Sequence, residues 1–157
     1  LKGQFENVAV GETVGKGELT FPLNDTWLGT ISAKEDDFVN KFENLKKKEV
    51  NIITLDAYVS ENNIIPSLIK IDTEGFELNV LKGANKLLTE HKPLVIFEAN
   101  EINKREELYD EFNSIGFLIS DLIDDNNKFI SKTKSEFISS KKTNFIGISR
   151  SHQLMND

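Results

Sequence analysis

PSLIKIDTEGFELNVLKGA, residues 66–84, sets two acidic side chains and a glycine directly behind a short apolar run. Residues 68–72 are β-branched and short, which reads as a buried strand. Residues 76–88 repeat apolar side chains at Val80, Leu81, Ala84, Leu87 and Leu88, the spacing of a helix. Residues 94–98, LVIFE, are a second short apolar run. Strand, helix and strand in this order, with a crossover too long for a hairpin, predict a right-handed parallel β-α-β unit.

Alternation along the first strand places Leu68, Lys70 and Asp72 on one face and Ile69 and Ile71 on the other. A lysine inside a central strand needs a carboxylate partner, and Asp72, Glu98 or Asp56 could supply it. If the two strands are parallel neighbours, Asp72 and Glu98 emerge together at the carboxyl edge, where open α/β sheets bind ligands. Gly75 permits a tight turn or a close ligand approach. Acids ahead of a helix also complement its dipole and cap its free N–H groups, so Asp72 and Glu74 have a structural reading as well. Gly83 costs about 1 kcal/mol relative to alanine inside a helix, and close helix–sheet packing would account for it.

The remaining organisation is read more coarsely. Residues 1–157 are expected to form a single domain, divided into a strand and hairpin region (1–33), a charged excursion (34–49), a β-α-β-α core (50–120), and terminal strands with a tail (121–157). In 7–21 a β-rich run, a turn containing Gly15 and Gly17, and a second run with Leu19 and Phe21 on one face are expected. The lone G-x-G lacks the third glycine and the helix of a dinucleotide fingerprint. Residues 50–66 start as a strand and break at Asn62 and Asn63. Residues 104–116 form a helix with Leu108, Phe112 and Ile115 inward and Gly116 at its end. Strands near 117–120 and 145–149 flank a polar connection expected to hold a short hairpin or lid. His91 and His152 have no partner pattern and read as surface residues.

Nineteen basic and twenty-six acidic residues give a formal charge of −7, which disfavours nucleic acid or an anionic membrane surface as partner. The absence of cysteine excludes disulfides, thiolate nucleophiles and cysteine zinc sites. No apolar run approaches the roughly 18–20 residues needed to cross a bilayer, so no membrane insertion is expected and a cytoplasmic location is the default. The oligomeric state is not written in the sequence.

Taken together, TLDAYV, PSLIKIDTEGFELNVLKGANKLL and KPLVIFEAN closely resemble the second half of the FkbM family of S-adenosylmethionine-dependent methyltransferases. That family is marked by a strand ending I-K-I-D-x-E-G, a helix carrying L-K-G-A, and a strand after proline ending in glutamate. The match spans about residues 50–100, and NVAVGETVGKGELTF is similar to the A-V-G segment preceding a hairpin in that family. The resemblance implies an α/β, Rossmann-like class I methyltransferase fold with the methyl donor at the carboxyl edge of the sheet. It further implies O-methylation of a hydroxyl on a sugar, glycan or other natural product. Asp72 would lie beside the donor's methionine end and the acceptor, Glu74 and Glu98 would line the acceptor side, and Val8, Ala9, Val10 and Gly11 would lie near the adenosine.

The family's glycine-rich strand-to-helix turn and its ribose-binding acid have no counterpart in residues 1–157. Without the strand that joins its halves the sheet should split, leaving LIKID with an open apolar edge. The expectation is therefore a carboxyl-terminal part of a longer enzyme that binds donor poorly when produced alone. Asp72, then Glu98, is the candidate base, with Glu74 beside them. A divalent cation on the three acids is less favoured, because they lack a diagnostic ligand spacing. Two rivals remain: a phosphohydrolase with a strand-end aspartate nucleophile, whose usual motif order is not matched, and a non-catalytic module derived from a truncated methyltransferase.

Overall fold

The computed structural model describes residues 3–24, 29–31, 42, 44–122 and 129–152. The first sheet contains β1 (Ala9–Val10), β2 (Gly15–Pro22) and β3 (Leu45–Ile53) in the order β1-β3-β2, with β1 parallel and β2 antiparallel to β3. The second contains β4 (Leu68–Ile71), β5 (Leu94–Glu98), β6 (Phe117–Asp121) and β7 (Asn144–Ser149) in the order β4-β5-β7-β6. Among the described residues, β4 and β5 form the one parallel pair of the second sheet. The molecule is thus mixed α/β with two mixed sheets, and β4 lies at an edge with Leu68 exposed.

The helices are α1 (Leu55–Asn62), α2 (Glu77–Lys82), α3 (Asn85–His91), α4 (Arg105–Ser114) and α5 (Lys134–Ile138), with a 3-10 turn at Ile102–Lys104 before α4. Thr54 caps α1 by accepting from the Ala57 N–H, and Asn63 ends it in the left-handed region at φ 53°. An asparagine tolerates that conformation better than most residues, which explains the break read at Asn62 and Asn63. Val80, Leu81, Ala84, Leu87 and Leu88 are all buried, as their spacing predicts. They come from two short helices, however, because the chain turns at Gly83 and Ala84. A Cβ on Gly83 would collide with the Gly11 carbonyl, so this glycine lets α2 meet the end of β1 rather than a sheet face.

Two acids hold these joints. The Asp56 carboxylate accepts from the Lys86 N–H (3.0 Å) and the Leu87 N–H (2.8 Å), capping α3 from a distant part of the chain. Its own N–H donates to the Gly83 carbonyl at 3.0 Å. Asp56 is therefore committed to a helix end and is not the partner of Lys70. Behind β5, Phe97 stacks 4.6 Å from Phe112 and 5.7 Å from Phe145, and Phe137 meets Phe145 edge-on at 4.7 Å. This aromatic cluster forms the core under α4, with Leu108 and Phe112 buried and Ile115 half-buried.

Other expectations are corrected. Gly15 and Gly17 lie in β2, not in the turn, which falls at residues 11–14. A Cβ at Gly17 would lie 2.6 Å from an Ile52 methyl, so close packing explains that residue. Leu45–Glu49, placed in a charged excursion, opens strand β3, while residues 32–41 and 43 lie outside the described residues. In the 121–144 connection, expected to hold a short hairpin or lid, the described residues form a capped helix, α5, and residues 123–128 lie outside the described residues. Lys70 is exposed on the face of β4 opposite buried Ile71, and β4 is an edge strand rather than a central one. Among the described residues no helix is long and apolar enough to cross a membrane.

Candidate functional site: carboxylates at two strand ends

The register of the parallel pair brings the first two acids together. Ile71 lies opposite Phe97, so the next residues, Asp72 and Glu98, leave the sheet side by side on its other face, about 4.8 Å apart by strand spacing. The inward face at this level is closed by buried Ile71 and Phe97. Polar side chains are thereby forced outward at the strand tips.

The following turn brings in a third acid. Glu74 and Gly75 adopt consecutive positive φ values of 50° and 93°. A non-glycine residue in this region costs roughly 1–2 kcal/mol, so the turn needs support. Glu77, buried at the start of α2, supplies it: its Oε1 accepts from the Thr73 N–H (3.2 Å), the Thr73 hydroxyl (3.0 Å) and the Gly75 N–H (3.0 Å). Lys104 donates to the Gly75 carbonyl at 3.0 Å from the other side. A Cβ on Gly75 would overlap the Glu101 carboxylate. The N-cap residue of α2 is Phe76 with no side-chain cap, so neither Asp72 nor Glu74 serves as its cap.

Asp72, Glu74 and Glu98 can each present a carboxylate oxygen within 4.8 Å of the others. Lys70 donates to Asp72 Oδ2 at 2.8 Å. This hydrogen bond is the main cause holding the Asp72 carboxyl below the usual aspartate range. Glu98 moves the other way: burial, then the hydrogen bond to Asp72 and the charges of Asp72 and Glu74, push its carboxyl above the usual range, against a hydrogen bond from Asn100. The lysine breaks the symmetry of the pair. Asp72 carries the charge, and Glu98 holds on to its proton longer.

A cavity of about 320 Å³ opens beside Asp72, lined also by Thr73, Phe76, Val8, Ala9 and Val10, with Leu19 and Val50 on the wall contributed by β2 and β3. Val8, Ala9, Val10 and Asp72 thus share one cavity. Gly11 does not line it; it is buried, and its N–H donates to the Ile53 carbonyl at 2.9 Å. Glu74 and Glu98 join the acid cluster but not the lining of this cavity. Another cavity, about 290 Å³, lies between α1 and α3 and is bordered by exposed His91, away from the clustered carboxylates.

Sequence reading missed Glu77, Phe76 and Asn100. It also missed Arg105, which is fully buried after β5. Its guanidinium donates to the carbonyls of Ala99 (2.8 Å), Lys142 (2.8 Å) and Ser140 (2.6 Å), and it stacks 5.3 Å from the Phe145 ring centre. Burial lowers its pKa. Arg105 ties the residue after Glu98 to the segment following α5, and an arginine preceding a helical pattern gives no such signal.

No curated protein and no solved structure matches the chain. A family model described as the methyltransferase FkbM domain matches residues 2–131, most of the chain and all of the residues that build the carboxylate cluster and its cavity. On that match, the chain belongs to the FkbM methyltransferase family.

Proposed function

We propose that the protein transfers a methyl group from S-adenosylmethionine to a hydroxyl of a sugar, glycan or other natural product, within a Rossmann-like fold. The observation that carries this reading is the pairing of Asp72 with Glu98 at neighbouring strand tips, beside a cavity that Asp72 also lines. The described residues suit part of the donor: the Asp72 carboxylate for its cationic end, and Val8, Val10 and Phe76 as an apolar wall for adenine. Among the described residues no second carboxylate lines that cavity to meet a ribose diol. When bound, the donor supplies a methyl group on a good leaving group, so the protein's task is chiefly alignment.

The chain's residues then divide the work. Asp72, kept ionised by Lys70, accepts a hydrogen bond from the acceptor hydroxyl and orients its oxygen. As the new C–O bond forms, the hydroxyl proton leaves through Asp72 and comes to rest on Glu98, the more basic carboxylate of the pair. Proton transfer is late, because the acceptor oxygen becomes acidic only as the methyl arrives. Turnover should therefore rise with pH as Glu98 ionises, with a midpoint above the ordinary glutamate value.

Incubating the complete protein with donor and a panel of sugars tests the reading. A mass gain of one methyl for one hydrogen is expected, and it should be lost in Asp72→Asn. The absence of transfer to every hydroxyl acceptor, together with no binding of S-adenosylhomocysteine, would reject it. A second reading, a hard divalent cation held by Asp72, Glu74 and Glu98, is favoured by their mutual reach within 4.8 Å. The Lys70 ammonium already bonded to Asp72 competes with a cation there. Activity that survives excess chelator discards the metal.

A further inference from the structure

The two faces of the β2-β3 pair carry their lysines differently. Directly opposed residues of an antiparallel pair share a face. Glu18 lies opposite Glu49 and Thr20 opposite Lys47, whereas Leu19 lies opposite Lys48 and Phe21 opposite Lys46. On the first face the charges are neutralised in pairs, Lys16 with Glu49 and Lys47 with Glu18, both at 2.6 Å. On the second face Lys46 and Lys48 are exposed beside Leu19 and Phe21, and among the described residues neither ammonium meets a carboxylate. This second face is the cavity wall, since Leu19 and Val50 line the cavity.

Lys48 is directly across from Leu19 and one alternation step from Val50, about 6.6 Å along the strand, within the span of its own side chain. Lys46 stands one step further out on the same face. Two like charges that meet no carboxylate among the described residues, on the face whose Leu19 and Val50 line the cavity, form a local positive ledge in a chain of net charge −7. Asp72, a member of the acid cluster, lines the same cavity. An occupant reaching from the cavity along this face of the β2-β3 pair meets the Asp72 carboxylate and the Lys48 and Lys46 ammonium groups.

The geometry points to an anionic acceptor: a sugar bearing a phosphate or carboxylate, whose charged group rests on Lys46 and Lys48 while a hydroxyl faces Asp72. This inference rests on the methyl-transfer reading for the hydroxyl end, but the ledge itself is tested by binding alone. The lysines are specificity residues here and take no part in the chemistry. Charge-assisted contacts of this kind contribute enough for about tenfold in affinity.

The test titrates the isotope-labelled chain with glucose 6-phosphate, glucuronate and glucose, reading backbone amides by NMR. The two anionic sugars should shift the amides of residues 45–50 and Leu19, bind at least about tenfold more tightly than glucose, and weaken with added salt. The double variant Lys46→Gln/Lys48→Gln should lose that advantage and keep its glucose response. Equal binding of glucose and glucose 6-phosphate, or unchanged binding in the double variant, would overturn the proposal. S-adenosylhomocysteine, which also carries a carboxylate, forms the control arm. If its affinity drops with the lysines removed, they serve the donor and the acceptor proposal falls. If it does not bind at all while glucose 6-phosphate still shifts 45–50, the anion ledge stands independently of the methyl-transfer reading.

Discussion

Asp56 and Asp72 are both aspartates that follow a strand in a motif of the same family, yet the fold uses them in opposite ways. Asp56 spends its two oxygens on the backbone N–H groups of Lys86 and Leu87, and Glu77 likewise holds Thr73 and Gly75. Asp72 and Glu98 face another carboxylate, which helps push the Glu98 carboxyl above its usual range while one lysine holds that of Asp72 below it. An acid saturated by backbone donors is fixed and has no capacity left for a substrate. An acid crowded by another acid is costly for the fold, and under the proposed function chemistry at the site accounts for that cost. The contrast separates carboxylates bound by backbone donors from carboxylates left facing one another, without reference to the sequence motif.

Substitutions can break this division, and the largest effect is expected at Asp72. Asp72→Asn should lower kcat by about 100-fold or more, while unfolding stability stays within about 0.5 kcal/mol, since the Lys70 pair is solvent-exposed and relief of repulsion with Glu98 offsets its loss. A stability loss with preserved turnover would reverse the assignment. Glu77→Ala should do the opposite first: it strips three hydrogen bonds from a strained turn and should cost about 2–3 kcal/mol in chemical denaturation.

Much of this was legible in advance, and the exceptions have physical causes. The strand-helix-strand unit shows because its apolar residues are buried at regular spacing, and the Asp72–Glu98 pairing follows from a parallel register alone. The start of β3 was hidden because Lys46, Lys47, Lys48 and Glu49 are all exposed, so neither face writes an apolar alternation. Helix α1 buries no residue fully and so shows no apolar stripe, although Thr54 was available as a cap signal. Helix α5 did carry a signature, Thr133 and Glu136 in a reciprocal capping box, within a stretch too polar to suggest a core element. Glu77 was overlooked because an acid in a first helical turn looks like a dipole complement; only the fold shows the turn curling back onto it.

Smaller effects sharpen the comparison further. Asp56→Ala should cost about 1 kcal/mol, the usual loss for a helix cap, and leave turnover unchanged. Glu98→Gln should be the mildest for stability, with a sign set by pH. A carboxyl whose pKa is raised on folding contributes stability below its unfolded value and loses it as pH rises through the folded value. The variant should therefore match the parent in acid and exceed it at neutral pH by a few tenths of a kcal/mol, a small figure because the group is partly solvated.

Carboxyl-carbon NMR, following Asp72 and Glu98 through a pH titration in the parent and in Asp72→Asn, reaches the central claim without needing a substrate. The account predicts that Glu98 titrates above Asp72 in the parent and that its midpoint falls toward the ordinary glutamate value once residue 72 is uncharged. Two independent titrations at ordinary values, with Glu98 indifferent to the substitution, would contradict it.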